Sequence, residues 1–400
     1  MKNIQLTKDL YWNGVIDKNL RVFDILLKTK YGTTYNSYIL KGSEKIVLFE
    51  TAKVGFKDEF FKRLESIVAL KDIDYLVVNH TEPDHSGSIE RLLADNPDIV
   101  IVGTITAITF LKKIVNHDFK TMVVKDGDVL SLGNKTLEFM PLPNLHWPDT
   151  MFTYLREDEI LFTCDVFGSH YSDPVMLRSK LTNEQEYLEA VKYYFDNIIK
   201  PFANPYMTKA LTRIADLPVK MICTGHGPVI DSKIKQAIAD YQTWCKLPLK
   251  SVNKLVVLPY VSAYGYTKSL AQAIGEALTA SKGIDVEYYD MVECDQATVL
   301  DRMMLADGIL FGTPTMVGDA LKPIWDLTTS ISSVNYKGKL MSAFGSYGWS
   351  GEGVPHIIER LKQLKGDVID GYRVRFKPTD EEFVAAAEFA KQFAKRLKEK

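Results

Sequence analysis

Val77-Val78-Asn79-His80-Thr81-Glu82-Pro83-Asp84-His85-Ser86-Gly87 is the stretch on which the reading of this chain turns. The apolar run Tyr75–Asn79 (YLVVN) stops abruptly, and four potential metal ligands follow within six residues: His80, Glu82, Asp84 and His85. Pro83 keeps the segment from being an ordinary helix interior, because it lacks an N–H and its ring crowds the preceding turn. Ligands this close together can converge from a tight loop, so one segment can serve two ions. Three more ligand types follow apolar runs further along. They are His146 in Leu145-His146-Trp147-Pro148, Asp165 after Leu161-Phe162-Thr163-Cys164, and His226 after Met221-Ile222-Cys223-Thr224-Gly225. Each is expected at the end of a strand, where a rigid sheet rim can hold a ligand. Of the seven histidines, His80, His85, His146 and His226 occupy such positions, whereas His117, His170 and His356 do not. One histidine after a strand is commonly a hydrogen-bonded core residue. Seven ligand types in this pattern read as a metal site.

Working outward, residues 1–246 carry short apolar runs, Lys45–Glu50, Ile99–Val102 and Ile160–Thr163 among them, with helical patterns over Lys57–Leu70, Ser86–Ala94 and Asn183–Ile199. The neighbouring runs Val22–Lys28 and Thr34–Leu40 suggest antiparallel pairing. This is mixed α/β, with sheets inside and helices outside. A helical segment, Ser232–Cys245, leads into a Pro-containing polar linker, Leu247–Asn253. From Lys254 strands and helices alternate. Strands read as Lys254–Tyr260, Asp285–Tyr289, Gly308–Gly312, Leu340–Gly345 and Tyr372–Phe376. Helices read as Thr267–Ala280, Ala297–Ala306, Ala320–Ser330, Gly353–Leu364 and Glu381–Lys398. That rhythm predicts a parallel, doubly wound sheet in a second domain, 254–400.

Three loops of this second domain follow strands and are rich in Gly, Ser and Thr. The first is Ser262-Ala263-Tyr264-Gly265-Tyr266-Thr267. The second contains Thr313, Pro314, Thr315 and Gly318, and the third Ser346, Tyr347, Gly348, Trp349 and Gly351. A strand–loop–helix of this composition places backbone N–H groups around an anion at a helix N-terminus. It has neither the Lys of a Walker A loop nor a Gly-x-Gly-x-x-Gly, so it suits a single terminal phosphate. In a doubly wound sheet the ligand lies beyond the carboxyl ends of the strands at the switch point, which is where FMN binds in flavodoxin-like sheets. Tyr347 or Trp349 can flank the flavin ring there.

The net charge of −2, with 49 basic and 51 acidic residues, gives no electrostatic footprint for nucleic acid and no polybasic membrane patch. No apolar run is long enough to span a bilayer, and the N-terminus reads as free of a signal peptide. The four cysteines, Cys164, Cys223, Cys245 and Cys294, are scattered without a Cys-x-x-Cys pair, as expected for reduced thiols in a cytoplasmic protein.

The metal motif resembles that of the metallo-β-lactamase fold, with Glu82 where a second histidine is usual. That departure is the pattern of the flavodiiron proteins, or A-type flavoproteins. With residues 254–400 resembling flavodoxin, the resemblance covers essentially the whole chain, in the two-domain core form without rubredoxin or flavin-reductase extensions. It implies an N-terminal αββα sandwich over 1–246, a C-terminal flavodoxin-like domain, one FMN and two non-haem irons. By matching positions it implies one iron on His80, Glu82 and His146, and the other on Asp84, His85 and His226, with Asp165 bridging. It also implies that the side chain at His85 can turn away from the metal. A carboxylate at Glu82 makes the site harder and more anionic than a zinc site rich in imidazole, which argues against a zinc hydrolase fused to a flavodoxin domain. The complete ligand set argues against a purely electron-transferring protein with a vestigial first domain.

The activity implied is reduction of O2 to water, of NO to N2O, or both. No dinucleotide fingerprint is present. Electrons are therefore expected from an external donor: a rubredoxin, another small redox protein, a flavin reductase or a deazaflavin. His170, Tyr171 and Trp147, close in sequence to proposed ligands, are candidates for the layer behind them. A head-to-tail homodimer, or a dimer of dimers, is the assembly implied.

Overall fold

The computed structural model describes residues 4–24, 27–246 and 251–400. The chain divides into two compact units, Met1–Lys246 and Leu247–Lys400. Residues 247–250 of the expected linker lie outside the described residues.

In the first unit, alternation along each strand sends successive side chains to opposite faces. Within Ile46–Phe49, Val47 and Phe49 join a core between two sheets, while Leu48 joins a core beneath helices. One sheet has seven strands in the order Ile4–Gln5, Leu10–Trp12, Tyr38–Lys41, Ile46–Phe49, Tyr75–Val77, Val100–Gly103 and Lys120–Val123. Its pairing turns from antiparallel to parallel at Ile46–Phe49. The other has five, Val129–Ser131, Thr136–Pro141, Met151–Leu155, Ile160–Cys164 and Met221–Thr224, with only the last pair parallel. Phe49 and Phe162 stack across the inter-sheet core with ring centroids 3.9 Å apart. Truncating either to Ala would cost ~3–5 kcal/mol. Phe60, Leu64, Leu92 and Leu111 cover the outer face of the first sheet from helices Lys57–Glu65, Ile89–Asp95 and Ile105–Val115. Tyr187, Val191, Leu211 and Tyr241 cover the second from helices Glu184–Tyr194, Thr208–Ile214 and Ile234–Trp244. The unit is an αββα sandwich.

The second unit has five long parallel strands in the order Ile284–Asp290, Lys254–Tyr260, Gly308–Gly312, Leu340–Tyr347 and Tyr372–Arg375. That is the flavodoxin-like order, second-first-third-fourth-fifth, with its switch point beside Lys254–Tyr260. Helices Gln296–Leu305, Lys322–Thr329 and Gly353–Gln363 cover one face, and Tyr266–Thr279 and Asp380–Lys398 the other. The last helix opens on a capping box between Thr379 and Glu382, with Asp380, Glu381 and Glu382 in its first turn and Lys395, Arg396 and Lys398 in its last. Both ends complement the helix dipole.

Two expectations need correcting. The runs Val22–Lys28 and Thr34–Leu40 do not pair. Val22–Phe23 folds back on Leu27–Lys28, with Asp24 at φ 47° in the turn. The second run is divided at Asn36. Thr33–Tyr35 pairs with Val15–Asp17, and Tyr38–Lys41 enters the large sheet. The Asn36 amide reaches the carbonyls of Thr224 and Gly227 instead of extending a ladder, which draws Thr33 and Thr34 toward His226. The helix expected over Ser86–Ala94 is two pieces, a single turn Pro83–Ser86 and Ile89–Asp95. Pro83 sits at the first helical position, where its missing N–H costs nothing.

Candidate functional site

The seven ligand-type side chains converge at one rim of the sandwich. His80 and Glu82 lie between the strand Tyr75–Val77 and the turn Pro83–Ser86, and Asp84 and His85 lie within that turn. The turn redirects the chain, so the two pairs address opposite oxygens of Asp165. Asp165 directly follows Ile160–Cys164, and His226 comes two residues after the parallel neighbour Met221–Thr224. His146 comes from loop 142–150 rather than from a strand end as expected.

Asp165 Oδ2 is 2.9 Å from His146 Nε2 and 3.5 Å from His80 Nε2. Glu82 Oε2 completes that group at 3.1 Å from His80 Nε2 and 3.2 Å from His146 Nε2. Asp165 Oδ1 is 3.0 Å from His85 Nε2 and 3.5 Å from His226 Nε2. Asp84 completes the second group at 3.2 Å from His226 Nε2 and 3.6 Å from His85 Nε2. Donor atoms roughly 3 Å apart are the spacing that ligands about 2.1 Å from one ion leave between them. Side-chain exposure in the set runs from 0% at His80 and His85 to 19% at His146.

Three carboxylates withdrawn from water need positive charge nearby. Burial alone would raise the Asp165 carboxyl, yet His85 and His146 hold it well below the carboxylate range. His146 and His80 do the same for Glu82. Burial would lower the imidazoles, but Asp84 and Asp165 hold His85 up to about 9, and Asp165 and Glu82 hold His146 up to about 9. The field therefore favours cations between these groups. The mixed carboxylate–imidazole donor set fits two divalent ions sharing one carboxylate.

Behind the donors, His80 Nδ1 faces Asp149 Oδ1 at 3.5 Å, and the other Asp149 oxygen accepts from Thr81 N at 2.7 Å. His226 Nδ1 donates to Thr34 O at 2.5 Å, which leaves Nε2 as the free lone pair. Trp147 sets its edge against the His80 ring at 5.1 Å. His170, 3% exposed, packs 5.4 Å from His226, meets the Phe23 ring at a tilt with centroids 4.4 Å apart, and pairs Nδ1 with Thr33 Oγ1 at 2.9 Å. Burial, and then the neighbouring His226, pulls its pKa down to about 3. Tyr171 is instead held among Tyr31, Tyr187 and the Asn183 carbonyl on the helix side.

Sequence reasoning missed Asp149, although it stands three residues after His146. It also missed Asp24, whose carboxyl is pushed up to about 6 by partial burial and then by the neighbouring Glu82. Only the turn pairing Val22–Phe23 with Leu27–Lys28 brings Asp24 there.

In the second unit a cavity of about 280 Å³ opens at the switch point. Of the residues anticipated, Ala263, Tyr264, Tyr266, Pro314, Thr315, Ser346, Tyr347, Gly348 and Trp349 line it. The others shape it from behind. Ser262 Oγ accepts from Lys268 N, Thr267 bonds Ser346 across the loops, and Thr313 accepts from Leu321 N. Val317 and Gly318, both at positive φ, turn a tight hairpin, and Gly351 makes room for the Tyr347 ring. Met316, Val317 and Phe376 also line the cavity and were not anticipated. Phe376 is fixed by its own N–H on Tyr347 O at 2.8 Å, a contact made only once the fourth and fifth strands pair. Gly265 caps helix Tyr266–Thr279 at φ +84°, and a Cβ there would enter open space. A helix N-terminus whose capping residue, Gly265, carries no side chain, opening on free volume beside aromatic walls, fits a phosphate-bearing flavin.

Comparison with known proteins bears on both units. A family model described as ODP family beta lactamase matches residues 33–227, and the flavodoxin model matches 258–398. The flavo-diiron protein FprA2 of Clostridium acetobutylicum is 39% identical over 99% of this chain and 100% of its own length. The anaerobic nitric oxide reductase flavorubredoxin of Escherichia coli O1:K1 is 32% identical over 98% of this chain and 82% of its own. Among solved structures, rubredoxin oxygen:oxidoreductase from Desulfovibrio gigas aligns over 99% of both chains with a TM-score of 0.69 and 26% identity.

Proposed function

The chain belongs to the flavodiiron proteins, and from that premise we propose that it is an oxidoreductase reducing O2 to water, NO to N2O, or both, with electrons from an external donor. The observation that carries the reading is Asp165, whose two oxygens each face a separate group of three donors. One iron is assigned to His80, Glu82 and His146, and the other to Asp84, His85 and His226, with Asp165 between them. FMN is assigned to the cavity at Ala263–Tyr266, Pro314–Thr315 and Ser346–Trp349. When bound, FMN takes up electrons in pairs or singly and the two irons deliver them to a diatomic substrate.

The residues of the chain supply the setting. Asp149 and the Thr34 carbonyl orient His80 and His226 so that Nε2 points inward. His170, kept neutral by burial, packs behind His226 without adding positive charge. Trp147 packs edge-to-face with the His80 ring. In the second unit the Gly265 turn aims the start of helix Tyr266–Thr279 at the space for a phosphate, with Ser262 Oγ on the Lys268 amide beside it, and Tyr264, Tyr347 and Trp349 bound the ring space.

The donor is assigned to the class of rubredoxins, small iron–sulfur proteins, flavin reductases or deazaflavins. A head-to-tail dimer would bring one copy's flavin to the other's irons, and the exposed Tyr264 and Trp349 at the cavity rim support such a contact. No helix among the described residues is long and apolar enough to cross a membrane. A cytoplasmic location fits the four cysteines, all free. The test is anaerobic stopped-flow mixing of the reduced protein with O2 or NO. Rapid reoxidation by at least one is expected, and inertness to both would refute the reading.

A further inference from the structure

The three fully buried ligand histidines differ in what lies behind them. His80 Nδ1 makes no hydrogen bond among the described residues but faces a carboxylate, Asp149 Oδ1 at 3.5 Å, and His226 Nδ1 donates to the Thr34 carbonyl. His85 Nδ1, equally buried, has no hydrogen-bond partner among the described residues. Such a ligand ordinarily donates its second ring N–H to a carboxylate or carbonyl, which fixes both the tautomer and the ring plane. Of the buried carboxyl oxygens in this unit without a hydrogen-bond partner among the described residues, the two of Asp84 face the Nε2 atoms of His85 and His226, Asp149 Oδ1 faces His80, and Glu50 Oε2 has no such assignment. Glu50 is 2% exposed, and its other oxygen accepts from Asn79 N at 2.7 Å. The next residue, Thr51, clamps the His85 carbonyl through both N and Oγ1, each at 2.7 Å. Gly225 also packs against His85, where a Cβ would stand 2.8 Å from Cε1. Glu50, Asn79, Cys164 and Gly225, the last packed on the His85 ring, line a gap of about 10 Å³.

We propose that Glu50 is the positioning residue for His85: its Oε2 takes the hydrogen bond of His85 Nδ1–H, directly or across one water, and holds Nε2 toward the second metal position. Glu50 touches neither metal nor substrate in this account. It acts by keeping His85 in the tautomer that can ligate. A carboxyl has acceptors for both Asn79 N and His85. Its isostere Gln has one acceptor oxygen, and its NH2 cannot receive a proton from Nδ1–H. The inference rests on the diiron reading above.

The test is Glu50→Gln, with iron per chain, chelator competition and Mössbauer spectra recorded on the full-length protein. Iron affinity at the position served by Asp84, His85 and His226 should fall about 10- to 100-fold, while the other position and FMN are kept. Thr153→Val is the control. It removes a buried bond to Asn79 Oδ1 at 2.6 Å and loosens the same strand end without touching Glu50. It should lower stability but leave the two irons equal. If Glu50→Gln does not fold, Glu50→Asp keeps both acceptors with a shorter reach and should show the same one-sided loss. Two irons held as tightly as in wild type, or both lost in parallel with stability, would overturn the inference alone. Fewer than two metals per chain in wild type would overturn it together with the diiron reading.

Discussion

In the metal centre every functional group is a side chain withdrawn from water, and each is held by the others. In the flavin pocket a positive-φ backbone turn at Gly265 opens the ligand space, and two of the lining side chains stand largely in solvent, Tyr264 at 79% and Trp349 at 77% exposure. The first arrangement concentrates charge where removing one member leaves the rest uncompensated. The second tolerates changes of side chain but not a Cβ where the chain must adopt positive φ. One chain thus carries two kinds of fragility, and they should be separable by mutation.

The largest effect is expected at the shared carboxylate. Asp165→Ala removes the only group common to both donor sets and leaves His85 and His146 without their closest carboxylate oxygens. Iron should drop from two per chain toward none, activity should fall at least ~100-fold, and FMN should remain. Two irons retained with full turnover would show that the side-chain cluster is less interdependent than its distances imply.

Next comes the backbone side of the comparison. Gly265→Val forces a β-branched residue to φ +84° and puts its Cβ into the space assigned to phosphate. Strain of ~1–3 kcal/mol at that turn corresponds to roughly 5- to 150-fold weaker FMN binding. Iron content should not change. Loss of iron along with FMN, measured on the same preparation, would break the claim that the two sites fail independently. Gly348→Val is milder in backbone terms, since its Cβ would meet the Phe376 ring at 2.8 Å rather than strain the chain.

A smaller effect sharpens the comparison within the metal centre. Asp149→Asn keeps the shape behind His80 but weakens the acceptor facing Nδ1. Iron affinity at the His80–Glu82–His146 position should fall about tenfold, with the other position unaffected. An equal loss at both would mean that Asp149 supports the whole loop through Thr81 N rather than one ligand.

How far these sites were legible follows from the same contrast. The seven candidate ligands follow apolar runs and their chemistry is written in residue type, so the side chains that the structure brings together could be picked out from type and position. The groups behind them are invisible in that way. Glu50 looks like a strand-end charge, and Asp24 reaches Glu82 only because the chain reverses at a left-handed residue. In the second unit the strand–helix rhythm gave the sheet, but Phe376 enters the flavin pocket through a strand pairing that no local pattern encodes. Thr34–Leu40 misled because Asn36 bonds backbone carbonyls 188 and 191 residues away, at Thr224 and Gly227.

The subtlest expected effect is one of pH. His170 is nearly sealed from water behind His226, whereas His356 in the second unit is 47% exposed beside Asp319. Burial and His226 depress His170 from 6.5 to about 3 in the folded chain. The sign follows directly. Below pH 6.5 the unfolded chain takes a proton on this ring and the folded chain does not, so stability falls with falling pH until about pH 3, where the folded ring also titrates. The slope approaches ~1.4 kcal/mol per pH unit in that window. His170→Gln keeps a polar partner for Thr33 and removes the titration. Denaturation followed by fluorescence at pH 7 and pH 5 should show the wild type losing more stability than the variant by up to ~2 kcal/mol, with the two converging near neutrality. Acid release of metal affects both proteins alike and cancels in the difference. Parallel curves for the two proteins would mean that His170 reaches water in the folded state, and that the packing behind His226 is looser than its ring contacts indicate.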